Sequence, residues 1–295
     1  MVEREARPWG QAKRFEFMEW RLFWTDRLNR KDLELEFGIS TPQASIDLRN
    51  YQEVAPNNLA YDSTLKSYVR AEKFEPVFLR VSADRLLLQL RALRTGAIEL
   101  ADTWFSDMPE VDVLPKLSRS VSDDLVRKIL IAINRRRGLI ITYMSLQKNS
   151  ERIIGPHALA YDGHRWHLRA WCFEKKDFRD FLLTRITNAV EVGREDFHPV
   201  DDIEWSRFTN LKLCADPRLD EHQRKTIEHD FGMTNGCVEI KIRIALAFYF
   251  IKRHNLDIES LPPERQQFVL KNLKEVMDDI LKAREDAKKL SQSAE

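Results

Sequence analysis

The sequence predicts an α+β chain built from several domains. Three stretches carry that prediction. Near the N-terminus, helical periodicity breaks at Gly38-Ile39-Ser40 and resumes at once in a second, capped helix. Between Gly138 and Ile186, strand-like alternation recurs, the period of a sheet with one buried face. Beyond Asp216, an alternating run and long charged helices share one segment. Domain limits read as 1–75, a helical connector over 76–120, then 121–192 and 193–295.

Taken in order, residues 13–28 put Phe15, Met18, Leu22, Thr25 and Leu28 on one helical face, with Phe17 and Trp24 nearby. A short helix over Arg30–Phe37 leads to the Gly38 turn. Ser40 or Thr41 caps a third helix, with Pro42 in its first turn where a missing N–H is harmless. That helix runs to about Tyr51 and exposes Gln43, Ser45 and Arg49. Two β-prone pieces then flank a turn at Asp62-Ser63. Together these make the layout of a winged helix-turn-helix. Ser40, Thr41, Gln43, Ser45 and Arg49 are candidate DNA contacts on the reading helix, and Lys66 and Arg70 are candidate phosphate contacts on the wing. The competing reading is a helical protein-interaction module with the same turn.

Ala83 to Arg94 forms a connector helix with a stripe of Leu86, Leu87, Leu90 and Leu93, which suits intramolecular core or a dimer contact. Ser122 caps a helix from Leu125 to Arg137, with Leu125, Ile129, Ala132 and Ile133 inward. Arg135-Arg136-Arg137 suits the negative C-terminal end of that helix. Strands follow at Leu139–Ser145, Arg165–Cys172 and Phe178–Ile186. In the second of these, Trp166, Leu168 and Ala170 share a core face, while Arg165, His167 and Arg169 line the other. The last part reads as a helix ending near Asp230, a strand over Val238–Ala245, a helix over Leu246–His254, a Pro262-Pro263 turn and a charged helix from Glu264 to about Ser291.

Composition is that of an ordinary soluble protein: 295 residues, 43% hydrophobic and 32% charged. No apolar run nears the ~20 residues that span a bilayer, and the N-terminus lacks a signal-peptide core. A cytoplasmic protein without a membrane partner is expected. Cys172, Cys214 and Cys237 are far apart without Cys-x-x-Cys spacing, so free thiols are expected, with no disulfide and no metal site. Net charge is +1, yet residues 121–192 carry 13 Lys/Arg against 8 Asp/Glu. The positive excess therefore lies mid-chain.

Asp162-Gly163-His164-Arg165-Trp166-His167-Leu168 resembles the signature of the WYL-domain family, with His167 where the family name has Tyr. Arg169-Ala170-Trp171-Cys172 and Phe178-Arg179-Asp180-Phe181…Arg185-Ile186 fit the same pattern. The resemblance implies a small Sm-like β-barrel that binds nucleic acid or a nucleotide and regulates an attached DNA-binding domain. Phe37 to Ser45, Tyr61-Asp62-Ser63, Trp166-His167-Leu168 and Asp216-Pro217-Arg218-Leu219 further resemble the BrxR/CapW-type regulators. That implies a homodimeric repressor tied to bacterial phage-defence loci, with a small α+β accessory domain at the C-terminus.

For the ligand, the candidates are Tyr143, Ser145, His157, Arg165, His167, Arg169 and Arg185. Hydroxyls, a stacking ring and Arg/His donors suit a phosphate-bearing ligand. His157 equally suits a structural role toward backbone carbonyls, and Arg152 and Arg179 read as salt-bridge partners. No carboxylate or His pair poised for a nuclease and no Gly-rich phosphate loop appears, so no catalytic residue, metal or cofactor is expected. The leading function is a repressor that binds an inverted-repeat, double-stranded operator as a homodimer and leaves it when a nucleic acid or nucleotide binds. The alternatives are an activator of the same layout, or a nucleic-acid-processing enzyme or accessory factor.

Overall fold

The computed structural model describes residues 9–293 apart from 106–108, 116, 118, 194–196 and 259. The chain divides into two units, Met1–Lys116 and Leu117–Glu295.

In the first unit, α1 (Trp9–Thr25) buries Phe15, Phe17, Met18 and Leu22. The sequence pattern carries this helix to Leu28, but Asp26 takes a left-handed φ of 62° and turns the chain into a short strand, β1 (Arg27–Leu28). Leu28 is buried all the same, because β1 pairs through Leu28 with Tyr68 of a later strand. Helix α2 (Arg30–Phe37) ends at Gly38, whose φ of 61° is the left-handed cap that favours glycine. Helix α3 (Thr41–Val54) starts at once, with the Ser40 hydroxyl accepting the Gln43 N–H. It buries Ala44, Leu48 and Tyr51 against α1. Strands β2 (Leu59–Asp62) and β3 (Ser67–Arg70) complete a three-stranded antiparallel wing in the order β1-β3-β2. Helix α4 (Ala83–Arg94) buries Leu90 but leaves Leu87 and Leu88 exposed.

A buried carboxylate ties this unit together. Glu19 on α1 accepts the backbone N–H groups of Val77, Phe78 and Leu79 at 2.8, 2.7 and 2.6 Å. It also accepts the hydroxyl of Tyr51, on the last turn of α3, at 3.1 Å. Burial pushes the Glu19 carboxyl up, against the pull of these donors.

In the second unit, Ser122 caps α5 (Asp123–Arg135), which lies on a five-stranded antiparallel sheet. The strands are β4 (Leu139–Met144), β5 (Asn149–Tyr161), β6 (Trp166–Cys172), β7 (Asp177–Leu182) and β8 (Ile186–Glu191), in the order β7-β6-β5-β4-β8. Leu125, Ile129 and Ala132 of α5 pack on Ile141, Ile154, Leu168 and Ala170. Among the described residues, β7 and β8 are the sheet's unpaired edges, so the barrel is not closed by backbone pairing. A one-turn helix, α6 (Ile203–Ser206), leads into the last layer. That layer comprises β9 (Phe208–Ala215), α7 (Glu221–Asp230), β10 (Cys237–Arg243), α8 (Ile244–Arg253), α9 (Pro263–Gln266), β11 (Phe268–Leu270) and α10 (Leu273–Ser293). Its sheet has the order β10-β9-β11, and α8 and α10 cover it through Ala247, Ile251, Val276 and Ile280.

Three expectations are corrected here. The helix read from Glu264 is interrupted: Gln267 at φ 63° ends α9, and Phe268–Leu270 pairs with β9 before α10 begins. Trp166 is 50% exposed instead of buried, because it sits at the hairpin end where its cross-strand neighbour is the exposed Tyr161. Cys214 and Cys237 are disulfide-bonded, not free, because the β9–β10 register sets them directly opposite one another. Cys172 is the buried free thiol. No helix among the described residues is long and apolar enough to cross a membrane.

Candidate functional site

The first candidate surface is the outward side of α3. Ala44, Asp47, Leu48 and Tyr51 are buried, and Arg14 holds Asp47 at 2.6 Å, so the helix is fixed on its inner side. At 100° per residue, Pro42, Ser45, Ile46, Arg49 and Glu53 then share the outer side. Thr41, Pro42, Ile46 and Arg49 are exposed, and Arg49 has no ion-pair partner among the described residues. Gln43 lies on the flank and is half-buried, and its described role is backbone donation to Ser40. The Ser45 hydroxyl donates to Thr41 O at 3.0 Å and accepts from Arg30 at 3.3 Å. Lys66 stands exposed in the wing turn at φ 49°, where the Asp62 carboxylate holds the Thr64 and Leu65 N–H groups. Arg70 is exposed beside Asp26 at 3.3 Å. Arg30 and Ile46 complete this face and were not singled out from sequence, although the α3 periodicity that selects Arg49 also selects Ile46.

The ligand candidates divide between the two faces of the central sheet. Tyr143 is on the α5 side: its ring packs edge-on against Phe181 at 5.2 Å, and its hydroxyl accepts the Leu182 N–H at 3.3 Å. Ser145 caps the β4–β5 turn, donating to Lys148 O and accepting the Gln147 and Lys148 N–H groups. Arg185 is half-buried just before β8 and has no hydrogen-bond or ion-pair partner among the described residues. His157, His167 and Arg169 come together on the opposite face, which α6 and α8 cover.

On that opposite face the cations already have anions. Arg169, 3% exposed, grips Asp202 with two parallel hydrogen bonds of 2.7 and 2.8 Å. It also reaches Glu204 at 3.0 Å and Asp180 at 3.4 Å. His157 bonds the same Asp202 at 2.8 Å. Glu204 is held from its other side by Arg284 of α10 at 2.7 Å, and Asp180 accepts the Tyr249 hydroxyl at 3.0 Å. His167 bonds Asp162 at 2.9 Å and faces the Tyr249 ring at 4.7 Å. Arg165 is half-exposed with its Nε 3.7 Å from Asp162.

Electrostatics follow from these contacts. Burial alone would raise the Asp162 carboxyl, but His167 and the N–H groups of Arg165 and His164 outweigh it and hold it at about 2. Burial likewise opposes ionisation of Asp202, and the hydrogen bonds from Arg169 and His157 keep it below the usual carboxylate range. Burial would lower the Arg169 guanidinium, yet Asp202, Asp180 and Glu204 hold it well above its ordinary value. Asp202 and Glu204 escaped the sequence reading because nothing in their spacing links them to Arg169, more than 30 residues earlier. No group of three or more His, Cys, Asp or Glu suited to a metal ion occurs among the described residues.

Comparison with known proteins fits each part in turn. Residues 10–92 match the family model described as BrxR transcriptional regulator winged helix-turn-helix domain. Residues 124–191 match the WYL domain, and residues 208–276 match the BrxR transcriptional regulator C-terminal dimerization domain. A protein of Escherichia coli called DNA-binding transcriptional repressor CapW is 36% identical over 277 residues, covering 92% of this chain and 93% of its own length. A protein of the same name from Pseudomonas aeruginosa is 37% identical over 279 residues, covering 93% of each chain. One from Stenotrophomonas maltophilia is 36% identical over 273 residues, covering 91% of each.

Proposed function

The chain belongs to the CapW family of DNA-binding transcriptional repressors, and from that premise we propose that it is a homodimeric repressor released by an anionic effector. Two copies bind an inverted-repeat operator in the cytoplasm, each laying α3 in a major groove. Half-sites lie one helical turn, ~34 Å, or a multiple of it apart. Arg49 meets base edges, Ile46 meets a thymine methyl, and Lys66, Arg70 and Arg30 neutralise phosphates. A nucleic acid or nucleotide bound by the WYL domain then favours a dimer whose reading helices no longer fit both half-sites, which requires different effector affinities for the two forms. The genes so controlled are those of a phage-defence locus.

The observation that best supports this reading is Arg49: exposed, unpaired among the described residues, and central to the outward face of a capped helix that follows a glycine turn. A gel shift on the DNA upstream of the protein's own gene tests it, with and without short single-stranded oligonucleotides. The reading predicts salt-sensitive binding to an inverted repeat, at least tenfold weaker in Arg49→Ala and reversed by oligonucleotide. Binding that oligonucleotide tightens would favour the activator of the same layout. No sequence-specific binding would refute both.

A further inference from the structure

The buried cluster around Arg169 is rich in carboxylates. Asp180, Asp202 and Glu204 face two guanidiniums, those of Arg169 and Arg284, with His157 beside Asp202. In this arrangement Arg169 is already engaged by all three carboxylates. A cleft of about 960 Å³ opens beside it, lined by Arg169, Trp171, Phe178, Phe248, Tyr249 and Arg284 among others. The volume admits a nucleotide or a short oligonucleotide, and the aromatic lining suits bases; Lys176, Arg179 and Lys288 also line the cleft, while its buried cation, Arg169, is already held by carboxylates.

The occupant is itself informative. Asp202 takes Arg169 in the two-pronged geometry that a phosphate also takes. Asp202 and Glu204 do not belong to the sheet. They stand at and within α6, between the residues matching the WYL domain, which end at 191, and those matching the dimerization domain, which begin at 208. Asp202 also caps α6 by accepting the Trp205 N–H at 3.1 Å, and Glu204 connects Arg169 to α10 through Arg284.

We propose that Asp202 is an internal stand-in for the effector's phosphate: the linker carboxylates and the effector compete for Arg169. This rests on the reading that the WYL domain takes an anionic effector. In the effector-free form, α6 is latched to β6 by Asp202 and Glu204. When a phosphate takes the Arg169 fork, Asp202 loses its partner, the α6 cap and the Glu204 bridge let go, and the change passes into the dimerization domain along the chain that joins them. The effector class is then a phosphomonoester or phosphodiester with an attached base, the charged phosphate displacing a carboxylate from the fork and the aromatic lining taking the base.

The test measures direct binding of a fluorescein-labelled, 5′-phosphorylated single-stranded tetradeoxynucleotide to the full-length chain by anisotropy. Asp202→Asn keeps the shape of the side chain and removes its charge. The latch predicts that this variant binds the probe at least tenfold more tightly than wild type. It also predicts release from operator DNA at correspondingly lower probe concentration, with both effects abolished by adding Arg169→Gln. Glu204→Gln, near the rim of the cluster, gives a smaller gain of about three- to fivefold and decides the matter should Asp202→Asn fail to fold. If wild type binds the probe and the charge-removing variants bind no more tightly, the latch is wrong while the effector reading stands. If none of the chains binds, both are overturned.

Discussion

Replacing Glu19 by glutamine probes the support of the reading helix. One carboxylate oxygen accepts the Val77 N–H and the Tyr51 hydroxyl, and the other accepts the Phe78 and Leu79 N–H groups. An amide has one acceptor end. Its best orientation keeps the oxygen on Phe78 and Leu79, the two shortest contacts, and turns the NH2 toward Tyr51 and Val77. The Tyr51 hydroxyl, which already accepts the Asn58 amide at 2.9 Å, can rotate to accept a second bond, but the Val77 N–H then faces another donor. Leaving it unsatisfied costs about 1–3 kcal/mol, and losing charge assistance in the other two bonds costs roughly 1 kcal/mol more. Relief of the charge-burial penalty, visible in the raised Glu19 carboxyl, returns part of this. The net expectation is a loss of about 2 kcal/mol. Hydrogen exchange by mass spectrometry over residues 75–80, with urea unfolding followed by tryptophan fluorescence, reads it as roughly thirtyfold faster exchange of the Val77–Leu79 amides. A change under ~0.5 kcal/mol would mean that Glu19 is already protonated in the fold, and the account of it as a charged four-bond anchor would be wrong.

Three other perturbations have defined outcomes. Ser40→Ala removes the α3 cap and should lower the stability of the first unit by about 1 kcal/mol in chemical denaturation, while Ser40→Gly should lose only a few tenths. Cys214→Ser or reduction opens a loop of 23 residues; the C-terminal layer should lose about 3 kcal/mol, seen as earlier thermal unfolding, and an intact chain under oxidising conditions should be 2 Da lighter, within ~0.1 Da, than the reduced one. Acid should act through depressed carboxyls. Asp162 lies at about 2 against an ordinary 3.8, so its contribution is fully present above ~4 and is lost as pH falls toward 2. Asp202 is depressed too and adds in the same direction. Second-unit unfolding that began only as pH rose, with no loss on acidification below ~4, would contradict the assignment.

Local patterns were legible where one element decides the outcome by itself. The Gly38 turn, the Ser40 and Ser122 caps and the alternation of Leu168 and Ala170 with His167 and Arg169 are all written within a few residues, and each occurs in the structure. Alternation identifies a face but not what covers it. The His167–Arg169 face reads as cationic and open from the strand alone, whereas Asp202, Glu204 and Tyr249 arrive from distant segments and neutralise it. Trp166 shares parity with Leu168 yet lies past the edge of the α5 cover, which periodicity cannot register. The Cys214–Cys237 pair needed the β9–β10 register, and β11 hid inside a helical pattern because three residues carry too little period to break it.

The central claim is coupling between an operator-reading surface and an anion site elsewhere in the chain, and coupling is reciprocal. The most direct measurement is therefore the affinity of the full-length protein for a labelled 5′-phosphorylated oligonucleotide, free and saturated with an unlabelled operator duplex, beside the affinity for operator with and without saturating oligonucleotide. The account predicts that each ligand weakens the other by the same factor, between about 5- and 150-fold. Two ligands that bind at once with unchanged affinities would contradict it.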